Sequence, residues 1–245
     1  RMAESLAAVD KSVETVDNPR SLDTLSTRPE GVKEVLGVFA KEPVVGQVKT
    51  RLSPPLSPAE AAGLYRSCLE ETLSAMSGGG FNLVLFHAGK ADFFRTAFPD
   101  ACLFPQGDGD LGERMERALR MLLDGGCGAA VLIGSDTPDL PVALAEEAFV
   151  ALREADVVVS PAADGGYVLV GERRHVPELF RNIPWSTADV LAATRQRAAD
   201  LAIDYREVGG WEDVDDLASL RRLLARSPAS ATARLGRQML ERHGL

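Results

Sequence analysis

Cysteine and histidine are both scarce in this sequence, with three of each among 245 residues. The cysteines, Cys68, Cys102 and Cys127, are scattered and odd in number, which argues against a disulfide framework and against the paired spacing of a zinc site. The histidines are isolated from one another, and no Ser/His/Asp or Cys/His arrangement emerges. The sequence therefore favours buried free thiols, and it favours structural or exposed histidines over catalytic ones.

Basic residues are in deficit. The chain has 27 Lys and Arg against 36 Asp and Glu, a formal net charge of −9. Such a balance argues against general binding to nucleic acid or to anionic membranes. No apolar run approaches the roughly 20 residues that a membrane-spanning helix needs. We expect a cytoplasmic protein without a membrane span and without a nucleic-acid partner.

The first thirty residues differ in composition from the rest. They are polar, rich in Ser and Thr, and lack the continuous apolar stretch of a secretory signal. We expect residues 1–30 to be a disordered extension and residues 31–245 to form one domain, a size that allows a large core. The sequence gives no basis for predicting an oligomeric state.

After residue 34, short β-rich runs alternate with helical stretches. This alternation predicts an α/β fold with a mostly parallel sheet flanked by helices. The predicted strands are Val35–Ala40, Phe81–His87, Ala101–Pro105, Ala129–Ile133, Asp156–Ser160, Tyr167–Val170 and Asp204–Val208. The predicted helices are one from Ser57 and Pro58 to before Gly78, then Leu111–Leu123, Pro141–Arg153, Thr187–Leu201, Val214–Ala225 and Ser230–Arg242.

A cationic loop follows the first predicted strand. It carries Lys41, Lys49 and Arg51 within eleven residues of an acidic chain. Gly46 allows the backbone amides to approach a ligand, and Lys and Arg neutralise phosphate charge. The pattern is not that of a Walker A motif, and a solvated surface loop would have a similar composition. We interpret the loop as a candidate phosphate site.

A glycine-rich turn runs from the third strand to a helix. Gln106 has both a donor and an acceptor, which suits the edge of a nucleobase, and Gly107 would let a flat ring approach the backbone. Alternatively, the segment is a simple turn in which Asp110 caps the next helix.

Carboxylates follow the most apolar strand, Ala129–Ile133. Asp136 and Asp139 lie where this strand should reach the surface, and hard oxygen ligands there suit Mg²⁺ or Mn²⁺ bridging a diphosphate. We expect Asp139 to cap the helix that begins near Pro141. Asp136 is harder to explain as a cap and is the best single candidate for a metal ligand.

A second acidic cluster follows the last strand, with four acids between Glu212 and Asp216. Acids at the start of a helix are favourable against its dipole, so some of them need no further function. The mutual repulsion of four acids would nevertheless be relieved by a divalent cation. Asp213 or Asp215 could complete the shell that Asp136 begins.

The segment Asp164-Gly165-Gly166-Tyr167 has two interpretations. Asp-Gly-Gly is a hairpin signal, but the same residues could also bring the backbone close to a sugar or acceptor whose hydroxyls Asp164 would bind. Trp185 is either a core residue or a platform for a ring.

Taken together, these motifs resemble the GT-A superfamily of nucleotide-diphospho-sugar transferases. More narrowly, the chain resembles a bacterial family of glycosyltransferase-like proteins of the arsenosugar-biosynthesis type, and it is also similar to small guanylyltransferases. The match runs from about Leu36 to about Leu220 and keeps the order of the family motifs. The segments that carry it are Phe39–Leu52, Gln106–Gly107 with Asp110–Met115, Gly134–Pro138, Asp164–Tyr167 and Trp185–Thr187.

The resemblance implies roles for individual residues. Lys49 and Arg51 would contact phosphates, Gln106 would lie near the base, and Asp136 would ligate the metal. Asp213 and Asp215 would correspond to an acidic motif at the second metal position. The chain departs from the family pattern where Asp216 replaces the usual Thr, and where Asp136-Thr137-Pro138-Asp139 replaces the usual Asp-x-Asp.

From these features we predict an Mg²⁺- or Mn²⁺-dependent transferase that passes a sugar from a nucleotide-diphospho-sugar to a small acceptor, with Lys49, Arg51 and Asp164 as catalytic residues. One alternative is nucleotidylyl transfer from a nucleoside triphosphate, with release of pyrophosphate. Another is a non-catalytic nucleotide-binding module. The sequence leaves open the base, the sugar and the acceptor.

The predicted site has three parts. The nucleotide site comprises Ala40, Lys41, Gly46, Lys49, Arg51, Gln106, Gly107 and Ser135. The metal site comprises Asp136, Asp213 and Asp215, and the acceptor side comprises Asp164, Gly165, Gly166, Tyr167 and Trp185.

Overall fold

Seven strands form one sheet, and each of them lies at a position that the alternation predicts. The computed structural model describes Leu22 and residues 33–245, so the predicted disordered extension lies outside the described residues except for Leu22. The strands are β1 (Glu34–Lys41), β2 (Asn82–Ala88), β3 (Cys102–Pro105), β4 (Ala129–Gly134), β5 (Val157–Pro161), β6 (Tyr167–Glu172) and β7 (Tyr205–Glu207).

The strand order is β3-β2-β1-β4-β6-β5-β7. Four of the neighbouring pairs are parallel, and β6 runs antiparallel to both β4 and β5. The prediction of a mostly parallel sheet is therefore confirmed. The reversal at β6 follows from the turn between β5 and β6, where the Asp-Gly-Gly segment forms the hairpin that one of its two interpretations predicts.

Within residues 33–245, seven α-helices cover the two faces of the sheet, and the sequence predicted six of them. The exception is α2, a helix of seven residues that is too short to show a helical period in the sequence. Helices α5 and α6 begin three residues later than predicted, α6 because Asp216 caps it. The helices are α1 (Pro58–Met76), α2 (Ala91–Ala97), α3 (Leu111–Asp124), α4 (Val142–Ala151), α5 (Val190–Asp200), α6 (Leu217–Arg226) and α7 (Ala231–Arg242).

Local signals fix the starts of two helices next to the cleft described below. Ser57 and Glu60 form a reciprocal capping box at α1, and Asp110 and Glu113 form another at α3. The capping role that the sequence offered for Asp110 is thus confirmed. These caps fix where each preceding loop ends.

Helix α1 is enclosed on two sides. Leu69, Leu73 and Met76 pack on the sheet, while Leu64 and Cys68 pack against α6 and α7. Such burial holds the helix firmly, because apolar contacts on both sides would have to open for it to move.

All three cysteines are free and buried, as predicted.

The order in which strands are added to the sheet reverses direction at β1, in the centre of the sheet. From β1 the chain first builds β2 and β3 on one side and later β4 on the other. In open α/β sheets, ligands bind at such a switch, beyond the carboxyl ends of the strands.

Among the helices that the structure describes, none is both long enough and apolar enough to span a membrane.

A charged cluster lies near the amino-terminal end of β4, away from the carboxyl ends of the parallel strands. His175 Nδ1 is 3.0 Å from Glu172 Oε2 at the end of β6, and its Nε2 is 2.9 Å from Glu116 Oε1 on α3. The hydrogen bonds to Glu172 and Glu116 raise the pKa of His175, and burial raises the pKa of Glu172. This cluster ties α3 to the sheet.

The raised pKa of His175 predicts a pH-dependent stability. A group with a raised folded pKa stabilises fully below its unfolded pKa, about 6.5 for His, and that contribution is lost as the pH rises through the folded pKa. We expect His175→Gln to lower the free energy of unfolding by roughly 1–3 kcal/mol near pH 6, and by less at higher pH. Urea unfolding of both proteins between about pH 6 and pH 9 measures the difference. The control His243→Gln removes only a surface contact with Glu60, so the pH dependence of its free energy of unfolding should stay close to that of the wild type. An equal pH dependence for the wild type and His175→Gln would contradict the role assigned to His175.

Candidate active site

A cleft of about 920 Å³ opens beyond the carboxyl ends of β1 and β4. It is large enough for a nucleotide together with a second small molecule. Each of the motif segments singled out in the sequence contributes to its lining. The residues from the predicted site that line it are Lys41, Lys49, Arg51, Gln106, Ser135, Asp136, Asp164, Gly166, Tyr167, Trp185, Asp213 and Asp215.

Four predicted site residues do not line the cleft. Ala40 is fully buried in the core on the α1 side of the sheet, and Gly46 lies at the exposed tip of the cationic loop. Gly107 lies under the guanidinium of Arg117, and Gly165 lies against the backbone of Ala188. Ala40 thus has a structural role in the core. The three glycines have structural roles too, since Gly46, Gly107 and Gly165 all have positive φ angles, which glycine adopts without strain.

Lys49 is the central cation of the site. Its side chain is only 6% exposed, and Nζ lies 2.8 Å from Asp136 Oδ2 and 3.5 Å from Asp215 Oδ1. Burial opposes its charged form, but the charge of Asp136 and the hydrogen bond to it outweigh that effect and raise the pKa of Lys49. Lys49 therefore stays protonated, and in return it holds the pKa of Asp136 below its ordinary value.

The other two cations of the loop are exposed. Arg51 is 76% exposed and donates from Nη1 to Asp215 Oδ2 at 2.9 Å. Lys41 is exposed at the end of β1, where its backbone N–H donates to the hydroxyl of Tyr65. The loop thus presents one fixed cation inside the cleft and two at its rim.

Gln106 has only part of its hydrogen-bonding capacity free. Its side-chain amide donates to the backbone oxygens of Ala40 and Phe86, both at 3.0 Å. These carbonyls lie near the carboxyl ends of β1 and β2. The sequence suggested both a donor and an acceptor for a base, but the donor is used by the backbone and only Oε1 remains.

Two arginines of α3 hold the loop that carries Gln106. Arg117 donates to the backbone oxygens of Gln106 and Asp108 at 2.7 and 2.9 Å, and Arg114 donates to that of Gly109 at 2.9 Å. Arg117 was missed in the sequence. No local pattern distinguishes it from Arg114 and Arg120 on the same helix, since its partners lie in the preceding loop.

The second acidic cluster meets the first through the backbone. The N–H of Val214 donates to the oxygen of Asp136 at 2.9 Å, which brings Asp213 next to the turn after β4. Burial and the charge of Asp136 raise the pKa of Asp213 to about 6. Within the described part of the chain, the Asp213 carboxylate has no hydrogen-bond or ion-pair partner. Asp213 is therefore a half-buried carboxylate in the cleft that no neighbouring cation neutralises directly.

The remaining acids face elsewhere. Asp139 does not cap α4, whose N-cap is Pro141; its carboxylate instead accepts from Arg226, from Ser227 at 2.7 Å and from Trp211 at 3.1 Å. That expectation was wrong because the partners of Asp139 come from distant parts of the chain.

Of the four acids in the second cluster, Glu212 pairs with Arg222 and Arg226, and Asp216 caps α6. Asp213 and Asp215 are the two that lie close to Lys49. Asp216, which stands where the family resembled in sequence usually has Thr, therefore serves as the N-cap of α6.

The donor set near Lys49 suits a divalent cation in its chemistry. It consists of carboxylate oxygens, the ligands that Mg²⁺ and Mn²⁺ prefer. Among the described residues, no three His, Cys, Asp or Glu side chains are grouped closely enough to hold a metal by themselves. Mg²⁺ usually takes one or two carboxylates and completes its shell with water and phosphate, so Asp136 and Asp213 fit such a cation.

The opposite wall combines a turn with aromatic rings. Asp164 Oδ1 accepts the N–H of Gly166 at 2.9 Å within the β5–β6 hairpin. Trp185 stacks on Phe180 and meets Tyr167 edge-on, with ring centroids 6.4 Å apart in both pairs. Trp185 thus packs against the core and also lines the cleft, which confirms its interpretation as a core residue; its role as a platform for a ring stays a prediction.

The sequence profile of a bacterial family, described as "Uncharacterized protein conserved in bacteria (DUF2064)", matches residues 70–187. A candidate nucleotide-diphospho-sugar transferase from Desulfovibrio desulfuricans G20 is 31% identical, with a TM-score of 0.80 over 86% of this chain and 98% of its own. The chain belongs to the same family as this Desulfovibrio protein.

Other solved structures share the fold of this nucleotide-diphospho-sugar transferase family at low identity. A CMP:2-keto-3-deoxy-manno-octonic acid synthetase complexed with CTP is 12% identical, with a TM-score of 0.52 over 80% of this chain and 98% of its own. A cytidylyltransferase from Leptospira borgpetersenii is 11% identical, with a TM-score of 0.54 over 86% of this chain and 93% of its own. The chain has no match among curated proteins.

The contact between Lys49 and Asp136 predicts strong energetic coupling. We expect Asp136→Asn to lower the free energy of unfolding by about 3 kcal/mol, because it leaves a buried ammonium without its partner. The double variant with Lys49→Met should lose less than the sum of the two single variants, by roughly 1–3 kcal/mol. Urea unfolding of the four proteins measures this coupling.

The exposed pair Arg195–Glu207 provides a matched control. Its atoms are 2.6 Å apart, but Arg195 is 51% exposed. We expect the cycle with Arg195→Met and Glu207→Gln to give a much weaker coupling than the central ion pair, because water screens the exposed charges. Additive effects of Lys49→Met and Asp136→Asn would show that the central ion pair does not stabilise the fold.

Proposed function

We propose that this protein is a nucleotide-dependent transferase that binds a nucleotide-diphospho-sugar and passes the sugar to a small acceptor. The observation that carries the proposal is the meeting of buried Lys49 with Asp136 and Asp213 at the switch point of the sheet. The 31% identity to a candidate nucleotide-diphospho-sugar transferase supports the same class.

The cationic side of the cleft would receive the diphosphate. Lys49 is held in a place from which water is largely excluded, so its charge acts more strongly on phosphate than a surface lysine would. Lys41 and Arg51 at the rim would bind the outer phosphate oxygens. As the diphosphate departs, these fixed charges would stabilise the negative charge that develops on it.

The acidic side would hold the metal. Asp136 and Asp213 are the proposed ligands, with Asp215 as a further carboxylate beside Lys49. A bound Mg²⁺ or Mn²⁺ would neutralise charge on the leaving diphosphate. Without a bound metal, the ammonium of Lys49 neutralises the charge of the Asp136 carboxylate.

The base and the acceptor would lie on either side of the phosphates. Gln106 offers a single acceptor, Oε1, which favours a base edge with an N–H group. Asp164 on the opposite wall would accept the proton from an acceptor hydroxyl, and Trp185 would contact a sugar ring through its face.

Nucleotidylyl transfer is the second candidate. Asp139 is turned away to Arg226, so a single carboxylate after β4 faces the cleft, and three cations around it would suit a triphosphate. A small phosphorylated acceptor would then attack the α-phosphate, and pyrophosphate would leave. A nucleotide-binding module without turnover is the third possibility.

The released product distinguishes these functions. With a panel of nucleotide-diphospho-sugars, nucleoside triphosphates and small acceptors, we expect release of a nucleoside diphosphate and an increase in thermal stability with the matching donor. Release of pyrophosphate from a triphosphate would instead establish nucleotidylyl transfer. Binding without either product would favour the non-catalytic module.

Asp136→Asn tests the proposed metal site. We expect nucleoside diphosphate binding to be stronger with Mg²⁺ or Mn²⁺ than without, and the substitution to weaken metal-dependent binding by at least about tenfold, as measured by calorimetry. Asp92→Asn, at a side chain that is 90% exposed on α2, is the matched control and should bind like wild type. Metal-dependent binding that survives Asp136→Asn would show that Asp136 is not a ligand.

A further inference from the structure

Tyr65 on α1 is a buried residue outside every motif described above. Its side chain is 4% exposed, and its hydroxyl lies 2.8 Å from the backbone nitrogen of Lys41 and 2.7 Å from Ser135 Oγ. Lys41 ends β1 and begins the cationic loop, while Ser135 directly follows β4. One hydroxyl group therefore joins the two segments that carry the cations and the first carboxylate.

The hydroxyl completes an edge of the sheet. The pairing of β1 with β4 ends where Phe39 lies opposite Gly134, and β1 continues for two more residues. Beyond that point the N–H of Ser135 donates to the oxygen of Phe39 at 3.0 Å, and the N–H of Lys41 donates to Tyr65. A phenylalanine would fill the same space but would leave the N–H of Lys41 without this acceptor.

The ring of Tyr65 supports the same two segments by packing. It forms a small buried cluster with Val48 and Ala62. Val48 precedes Lys49, and Ser135 precedes Asp136, so Tyr65 contacts the chain neighbours of both members of the ion pair. Burial raises the pKa of Tyr65, and the phenol therefore stays neutral and able to donate.

Helix α1 gives this contact a rigid base. Thr72 lies two turns further along the same helix and donates from Oγ1 to the backbone oxygen of Ser135 at 3.4 Å. The helix itself is packed between the sheet and the pair α6 and α7. A side chain on such an element can hold a site more exactly than one on a loop.

We propose that Tyr65 is a positioning residue that sets the separation between the cationic loop and Asp136, and thereby the affinity of the cleft for a diphosphate group. The proposal rests on the proposed function in that a nucleotide diphosphate is the ligand. Tyr65 reaches the lining of the cleft, but its hydroxyl is committed to Lys41 and Ser135 and its ring packs on Val48, so it acts through these residues. Its removal should therefore weaken binding of the phosphates and leave binding of the nucleoside part unchanged.

Tyr65→Phe tests the proposal, with Tyr205→Phe as the matched control. Tyr205 lies on the edge strand β7, where its hydroxyl donates to Glu207 at 2.8 Å. Calorimetry with inorganic pyrophosphate, the four common nucleoside diphosphates and their nucleosides, all with Mg²⁺, provides the affinities. We expect Tyr65→Phe to weaken pyrophosphate and diphosphate binding about tenfold and nucleoside binding less than about twofold, and the control to match wild type.

Amide hydrogen exchange at Lys41 provides a readout that does not depend on any ligand. We expect faster exchange in Tyr65→Phe and no change in Tyr205→Phe. Equal diphosphate affinities of wild type and Tyr65→Phe would overturn the proposal, as would an equal loss of diphosphate and nucleoside binding. If wild type binds none of the probes, the proposed function fails, and unchanged exchange at Lys41 would then overturn the positioning role as well.

A second variant covers the case in which Tyr65→Phe does not fold. Ser135→Ala keeps the hydrogen bond from Lys41 to Tyr65 but removes the link from Tyr65 to the turn after β4. It should weaken pyrophosphate binding more than nucleoside binding, with normal exchange at Lys41. Unchanged pyrophosphate binding in this variant would contradict the proposal.

Discussion

The architecture of the cleft depends on one buried positive charge. Lys49 is almost fully enclosed, and an ammonium removed from water is tolerated only beside a close counter-charge. The loop after β1 and the turn after β4 must therefore stay within hydrogen-bond distance of each other. Through the backbone bond from Val214 to Asp136, the same constraint extends to the segment before α6. Three parts of the chain thus meet at one ion pair.

The ends of the central strands show how an open cleft is made in a parallel sheet. Where β1 passes the end of β4, its backbone groups need partners that β4 does not supply. The Tyr65 hydroxyl satisfies the N–H of Lys41 there, and the Gln106 side chain donates to the carbonyl of Ala40 on the side of β2. Side chains that line the cleft are thus partly committed to the backbone, which limits what they can offer to a ligand.

The sequence predicted best those features that depend on neighbours along the chain. All seven strands and the cap at Asp110 could be predicted, because alternation and a partner three residues away are visible in the sequence. The roles of Asp139 and Gln106 could not, since Arg226 is 87 residues from Asp139 and Ala40 is 66 residues from Gln106. The meeting of the motifs at the strand ends followed from the rule for parallel sheets, whereas the orientation of each side chain did not.

The charges in the cleft have a consequence for the proposed reaction. Asp136 and Asp215 pair with Lys49 and Arg51, whereas Asp213 has no paired cation among the described residues, and burial together with the charge of Asp136 raises its pKa. A diphosphate entering alone would draw Lys49 away from Asp136 and leave more carboxylates without a partner. A divalent cation entering alone would meet the ammonium of Lys49. Under the proposed function, each ligand therefore compensates the charge that the other disturbs, and the two should bind more favourably together than separately.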